Sequence, residues 1–261
     1  MERICIIGLD EPEYVQIQER LETPVIAHEL LPRIVVRDGE LLVEPKRGPG
    51  WIKVSKVIFH SIYENDLDFL SALALWGGPC LPNAHAMMDC RLKFPCLVRA
   101  LQHTRFGLPM RGYAAPHAPF VTDTERVAKW GNWHCGENKA RFNGIWQSEE
   151  PCIIEPFLPG QAVRVILIGE KYWQIKMAGS DWLKSILAPD AAFMDVDAEL
   201  LEDTRTIQKA FGLEVVANDY IVGEQGTKHL LEVNHIPNVT RFPELWEAYR
   251  DYVVQWVQGT A

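Results

Sequence analysis

The stretch GLEVVANDYIVGEQGTKHLLEVNHIPN, residues 212–238, constrains what this chain can fold into more than any other. Its first arm, Leu213 to Val222, is rich in β-branched residues, and Gly223-Glu224-Gln225-Gly226-Thr227 supplies a turn. The return arm, Lys228 to Asn234, places Glu232 and Asn234 on one face, because side chains alternate with period two. Folding the arms about Gln225 brings Asp219 almost opposite Glu232. Two carboxylates and an amide then converge, all hard oxygen donors, with no cysteine or histidine required. Mg²⁺ takes such donors, particularly when substrate phosphates complete its shell. The plainer alternative is a solvated hairpin face, so the remainder of the chain has to decide.

Size and composition exclude several classes. A chain of 261 residues can bury a large core as one long domain or two compact ones. The net charge of −9, with no long basic run, argues against broad attraction to nucleic acid or to an anionic membrane. No apolar run reaches the length of a membrane span, and MERICIIGLD reads as a short strand rather than a secretory signal. The six cysteines include no C-x-x-C pair and read as reduced thiols of a cytoplasmic protein.

RICIIG (3–8) reads as a buried strand, followed by a helix around Glu11 to Leu21. TPVIAHEL, RIVVRDGELLVE and KVIFHSI are further strands, and Asp66 to Leu75 is a helix. This mixed pattern over residues 1–80 predicts a small α/β unit. No G-x-G-x-x-G follows Gly8, so a dinucleotide site is rejected. After the break at Gly77-Gly78-Pro79, residues 83–104 read as helical with an interruption at Pro95. MRGYAA, ERVAKWG, CIIEPFL, VRVILIG and KYWQIKMAG are strands. Asp197 to Phe211 is a helix capped by Gly212, and Phe242 to Val257 is an aromatic-rich terminal helix.

The tail Glu232-Val233-Asn234, continuing into the proline-containing loop His235 to Asn238, resembles the motif that ends the nucleotide site of the ATP-grasp superfamily. From about Asn83 onward the order of pieces is similar to the RimK-like and glutathione-synthetase-like ligases of that superfamily. The resemblance implies an α+β ATP-grasp fold, in which two α+β lobes with antiparallel sheets grip ATP. A short α/β domain (1–80) would precede the ATP-grasp domain (81–261), with 108–153 as a mobile lid.

Asp89-Cys90-Arg91-Leu92-Lys93, ahead of Gly107-Leu108-Pro109, resembles the family's lysine-bearing helix; Lys93 matches best, with Arg91 as fallback. Val127-Ala128-Lys129-Trp130-Gly131 resembles the strand lysine and the start of the flap over the triphosphate. Glycines there let backbone N–H groups approach phosphate. The flap departs from the family, holding only Gly131 and Gly136 beside two tryptophans and His134. Ile153-Ile154-Glu155-Pro156-Phe157-Leu158 looks like the adenine hinge, and Gln161-Ala162 follows where many relatives carry an acidic residue. Arg164 interrupts an apolar strand and needs an anionic partner. The resemblance gives it the γ-phosphate and the acyl phosphate formed later. Lys176 joins the nucleotide contacts and Lys184 the catalytic set, although relatives often carry Arg and then Asn near Lys184-Ser185.

The metal set would be Asp219, Glu232 and Asn234, holding Mg²⁺, with Mn²⁺ a possible replacement. The implied reaction is Mg-dependent activation of a carboxylate as an acyl phosphate and its joining to an amine. Two alternatives stay open: a kinase on the same scaffold and a catalytically silent ATP binder. The partners would be small-molecule or peptide carboxylates and amines, and a homo-oligomer is possible. Tyr113, His117, Trp133, His134 and His235 are candidate substrate contacts. Cys135 beside His134 is not read as a nucleophile, because adjacent strand residues point to opposite faces.

Overall fold

The computed structural model describes residues 2–107, 110–131, 138–179 and 181–260. The chain begins with β1 (Ile4–Ile7), α1 (Glu11–Gln18) and β2 (Val25–His28). An antiparallel hairpin, β3 (Ile34–Arg37) and β4 (Glu40–Val43), leads to β5 (Ile52–Val54), which pairs with β4. Then come β6 (Lys56–Phe59), α2 (Leu67–Trp76) and β7 (Cys80–Leu81). The parallel sheet β2-β1-β6-β7 is the expected small α/β unit, and its apolar runs are buried as parallel strands require. Helix α2 ends on Gly77 in the left-handed region at φ 69°.

Two short helices follow, α3 (Ala84–Arg91) and α4 (Lys93–Ala100). The break falls at Leu92, which is extended, and not at Pro95. Pro95 sits in the first turn of α4, where its missing N–H has no intrahelical partner to lose. Next comes an antiparallel sheet of β8 (Gly112–Ala114), β9 (Phe120–Trp130), β10 (Lys139–Trp146) and β11 (Cys152–Pro156), in the order β10-β9-β11-β8. Strands β5, β7 and β10, and the later strand Ala192–Met194, were not expected from the sequence, and β9 is longer than its predicted core. One face of this sheet buries Ala114, Cys152 and Ile154 with Phe120, Trp130, Phe142 and Trp146 packed against them. Alternation therefore puts Val127, Lys129 and Lys139 on the other face.

The second antiparallel sheet contains β12 (Gln161–Ile168), β13 (Lys171–Lys176), β14 (Ala192–Met194), β15 (Val215–Val222) and β16 (Lys228–Asn234), in the order β14-β13-β12-β15-β16. Helix α5 (Ala198–Phe211) joins β14 to β15, and α6 (Pro243–Gln258) closes the chain. Val163, Val165, Leu167 and Val216 pack toward α5 and α3–α4. Ile166, Ile168, Val215 and Ala217 pack toward α6 and the face of the N-terminal sheet carrying Ile4, Ile6 and Ile58. Helix α6 also bonds to α1, with Trp246 Nε1 donating to Gln16 at 2.8 Å, and Arg20 just past α1 pairs with Asp251. Because both faces are covered, β15 is buried along almost its whole length.

Candidate active site

Strand parity places the charged residues. Arg164 shares a face with Ile166 and Ile168, and its register partner on β15 is Asp219. Asp219 in turn pairs with Glu232 on β16, and Ala217 pairs with Asn234. One row therefore reads Arg164, Asp219, Glu232, with Asn234 next along the same face. A bulge between Asp219 and Tyr220 leaves Leu231 as an extra residue of β16, beside Glu232 on the cavity wall. Where α6 and the N-terminal sheet stop covering this face, it opens into a cavity of about 360 Å³, the size of a small-ligand site.

The antiparallel sheet of β8–β11 forms the opposite wall through Val127, Lys129, Lys139 and Glu155. The connection Pro156 to Gly160 joins the two sheets and lines the cavity, with Trp182, Leu183, Lys184 and Ser185 beside it. At Gly160 a Cβ would fall 2.4 Å from the Val222 carbonyl, so the crossing needs glycine. Phe157 donates its N–H to the Glu125 carbonyl, and its ring meets Trp182 edge-on.

Each carboxylate is engaged. Glu155 is buried and receives Lys129 Nζ and Arg111 Nε, both at 2.6 Å. Burial works against its charged form, yet these two cations outweigh it and hold the carboxyl below its ordinary value. Arg111 also donates to the carbonyls of Gly107 and Leu230, and Lys129 to that of Leu231. Arg164 grips Asp219 bidentately at 2.6 and 2.8 Å. Burial opposes the guanidinium charge, but Asp219 and then Glu232 push its pKa up. Glu232 is approached more loosely, by Lys139 at 3.6 Å and Lys93 at 3.9 Å.

The structure thus brings together Lys93, Lys129, Glu155, Pro156, Phe157, Leu158, Arg164, Lys184, Asp219, Glu232 and Asn234. Lys184 is exposed on the rim and donates to the Gly179 carbonyl at 2.8 Å. Gly131 turns the end of β9 at φ 69°, where a Cβ would crowd Asn138. Lys176 is not brought in. It pairs in register with Val163, one residue from Arg164, and so is exposed on the opposite face. Arg91 is occupied elsewhere, buried against Asp66 and donating to the Tyr63 carbonyl. Gly136, Trp133, His134 and Cys135 lie outside the described residues.

Of the other substrate candidates, Tyr113 is exposed on β8, His117 sits in a positive-φ turn, and His235 is fully buried. Sequence reasoning missed Arg111 and Lys139. The alternation Lys139-Ala140-Arg141-Phe142 was the signal for a strand with its charges on one face.

The donor set fits a hard divalent cation. Asn234 engages the Ala217 carbonyl through its amide nitrogen at 3.4 Å, so its oxygen is the atom able to face a metal. Among the described residues no three His, Cys, Asp or Glu side chains can hold a metal by themselves. Such an ion must complete its shell with water and ligand oxygens, as Mg²⁺ does with phosphates.

No protein-family model matches the chain, and no curated protein matches it significantly. Solved structures do. An ATP-grasp ligase associated with ribosomally made peptides in Chryseobacterium gregarium, in complex with ADP and a leader and core peptide, superposes with TM-score 0.67 at 12% identity. It covers 100% of this chain and 98% of its own. D-alanyl-alanine synthetase A of Vibrio cholerae gives 0.65 at 13% identity, covering 99% and 98%. The ATP-grasp ligase PsnB, complexed with a variant of its minimal precursor, Mg and ADP, gives 0.64 at 13% identity, covering 97% and 98%. With two sheets facing each other across a cavity whose wall carries Asp219 and Glu232, Asn234 following in the same row, the chain has the ATP-grasp fold.

Proposed function

We propose that the protein is a Mg²⁺-dependent ligase that activates a carboxylate with ATP and joins it to an amine. The observation that carries this reading is the cavity, lined by Lys129, Lys139, Asp219 and Glu232 beside the apolar connection Pro156 to Gly160, with Arg164 paired to Asp219 and Lys93 near Glu232 behind it. Adenine would lie against Phe157, Leu158 and Trp182. Because the Phe157 N–H is already taken by Glu125, reading of the adenine edge falls to its neighbours in the hinge. Asp219, Glu232 and Asn234 would hold Mg²⁺, or Mn²⁺ with the same oxygen donors, which would neutralise phosphate charge when bound.

In the reaction a substrate carboxylate oxygen attacks the γ-phosphorus, the bond to the β-phosphate oxygen breaks, and ADP leaves. The amine then attacks the acyl carbon, releasing phosphate and a proton as the amide forms. Arg164, paired with Asp219, would steady charge on the transferring group, with Lys184 of the cavity rim as a second cation. The chain contributes mainly positioning and charge neutralisation. In this reading residues 1–80 would serve as the N-terminal domain and 81–261 as the grasp, with 108–153 as its lid lobe.

A second cavity of about 290 Å³ supports a place for the acceptor. It lies just beyond Asn234, lined by Gly8, Asp10, Glu13, His60, Ser61 and Asn238. At Gly8, φ 87°, a Cβ would fall 2.4 Å from that of Ser61, so glycine lets this wall close. Burial lowers the His60 pKa to about 4, leaving a neutral ring beside two acidic side chains, a setting suited to an amine or ammonium group. The presence of peptides in several solved relatives supports peptide substrates alongside small molecules. No helix among the described residues is long and apolar enough to cross a membrane. The described cysteines are buried free thiols, which supports a cytoplasmic setting.

Titration with ATP in the presence and absence of Mg²⁺ tests the core of this reading. ATP is expected to bind, and more tightly with the metal. Absence of ATP affinity under both conditions would sink the proposal.

A further inference from the structure

Around the main cavity, the cations Lys93, Arg111, Lys129, Lys139 and Arg164 meet the carboxylates Glu155, Asp219 and Glu232. Arg111 and Lys129 close on Glu155, and Arg164 on Asp219, at the distances of charge-assisted hydrogen bonds. Lys139 behaves differently. Its Nζ stands 3.6 Å from Glu232, beyond good hydrogen-bond geometry, and its side chain is 19% exposed on the cavity wall. It is also the register partner of Lys129, so two lysines project side by side from the inner face of the β8–β11 sheet. From the other side, Lys93 reaches the same Glu232 at 3.9 Å. Lys129 and Lys139 thus line one wall together, and a chain of phosphates laid along it would meet both ammonium groups.

We infer that Lys139 is a further phosphate-binding residue, resting on Glu232 until a divalent cation takes that carboxylate and phosphate oxygens take the lysine. The inference rests on the Mg·ATP reading and adds an exchange of partners to it. Metal binding would release the lysines that the nucleotide needs, and the nucleotide would draw off the lysines that compete with the metal. The two ligands should therefore help each other bind, to the same degree in either order. Direct contact between metal and phosphate couples the two as well, so the lysine's share is the tightening of metal-free ATP binding when Glu232 no longer holds it.

Isothermal titration of the full chain with ATP, in excess Mg²⁺ and in EDTA, tests this on wild type, Lys139→Met, Lys139→Arg and Glu232→Gln. Circular dichroism would verify that each variant is folded. Lys139→Met should weaken binding in Mg²⁺ by about tenfold, and Lys139→Arg should retain most of the affinity. Glu232→Gln should tighten metal-free ATP binding severalfold while losing the enhancement by Mg²⁺.

A wild type that binds no nucleotide in either buffer overturns the nucleotide reading, and this inference with it. A wild type that binds Mg·ATP no better than Lys139→Met does overturns the role of Lys139 alone. Unchanged or weaker metal-free binding by Glu232→Gln overturns the exchange. Should Lys139→Met not fold, the Glu232→Gln comparison decides the matter.

Discussion

Glu155 and Glu232 line the same cavity from opposite sheets, each between two cations, and they are held in different ways. Lys129 and Arg111 meet Glu155 at 2.6 Å, and both cations are further tied to backbone carbonyls. Lys139 and Lys93 stop at 3.6 and 3.9 Å from Glu232. The first cluster joins the β8–β11 sheet to β16, since Arg111 and Lys129 bond to the carbonyls of Leu230 and Leu231. The second lies beside the open row of oxygen donors. Similar residue types thus give a cluster of short ion pairs that joins the two walls, and a second in which the lysine contacts to Glu232 are longer, where we infer the exchange of partners. A charge whose hydrogen bonds are already well made loses much when it changes partner; one held at longer range loses less.

The largest expected effect separates the two clusters by stability. Glu155→Gln should cost about 3 kcal/mol, because it leaves Lys129 and Arg111 buried without their carboxylate. Glu232→Gln should cost about 1 kcal/mol, because its lysines stand farther off. Chemical denaturation measures both, and equal losses would erase the distinction.

Acid should act on the tight cluster next. The folded Glu155 carboxyl sits below its ordinary value, so its contribution is present above the usual carboxylate range. That contribution is lost as pH falls through the lowered folded value. Between about pH 7 and about pH 3.5 the wild type should therefore lose more stability than Glu155→Gln. Parallel curves for the two proteins would show that Glu155 gains nothing from its cations.

The smallest effect is expected at Lys176. Facing away from both clusters, Lys176→Ala should change stability by less than about 0.5 kcal/mol. Its Mg·ATP affinity should stay within about twofold of wild type. A tenfold loss would put Lys176 back among the nucleotide contacts.

Much of this arrangement was legible beforehand where chemistry and period coincide. The β-branched arms and glycine turn of residues 213–234 specify a hairpin, and the observed register sets Asp219 against Glu232 as that pattern requires. Arg164 stood out because an arginine in an apolar strand must find an anion, and it found Asp219. Lys176 misled because charge is visible in a sequence while the parity of a strand, counted from Arg164, is not obvious until pairing is known. Lys139 and Arg111 passed unnoticed for a related reason. A short charged strand carries little apolar signal, and its role depends on which sheet wall it joins.

The sequence by itself determined the donor types, the hairpin that aligns them and the succession of α/β unit, strands and helices. Local propensity and period two suffice for those. The grouping of the later strands into two antiparallel sheets about a hinge was implied by the resemblance to ATP-grasp ligases. Only the tertiary structure decided which cations each carboxylate holds, how closely, and which lysines face the cavity at all. Those are consequences of pairing between residues as far apart as Lys93 and Glu232, whose distance no local pattern sets. The hairpin supplies the oxygen donors, and the packing of two sheets selects the charges that compete for them.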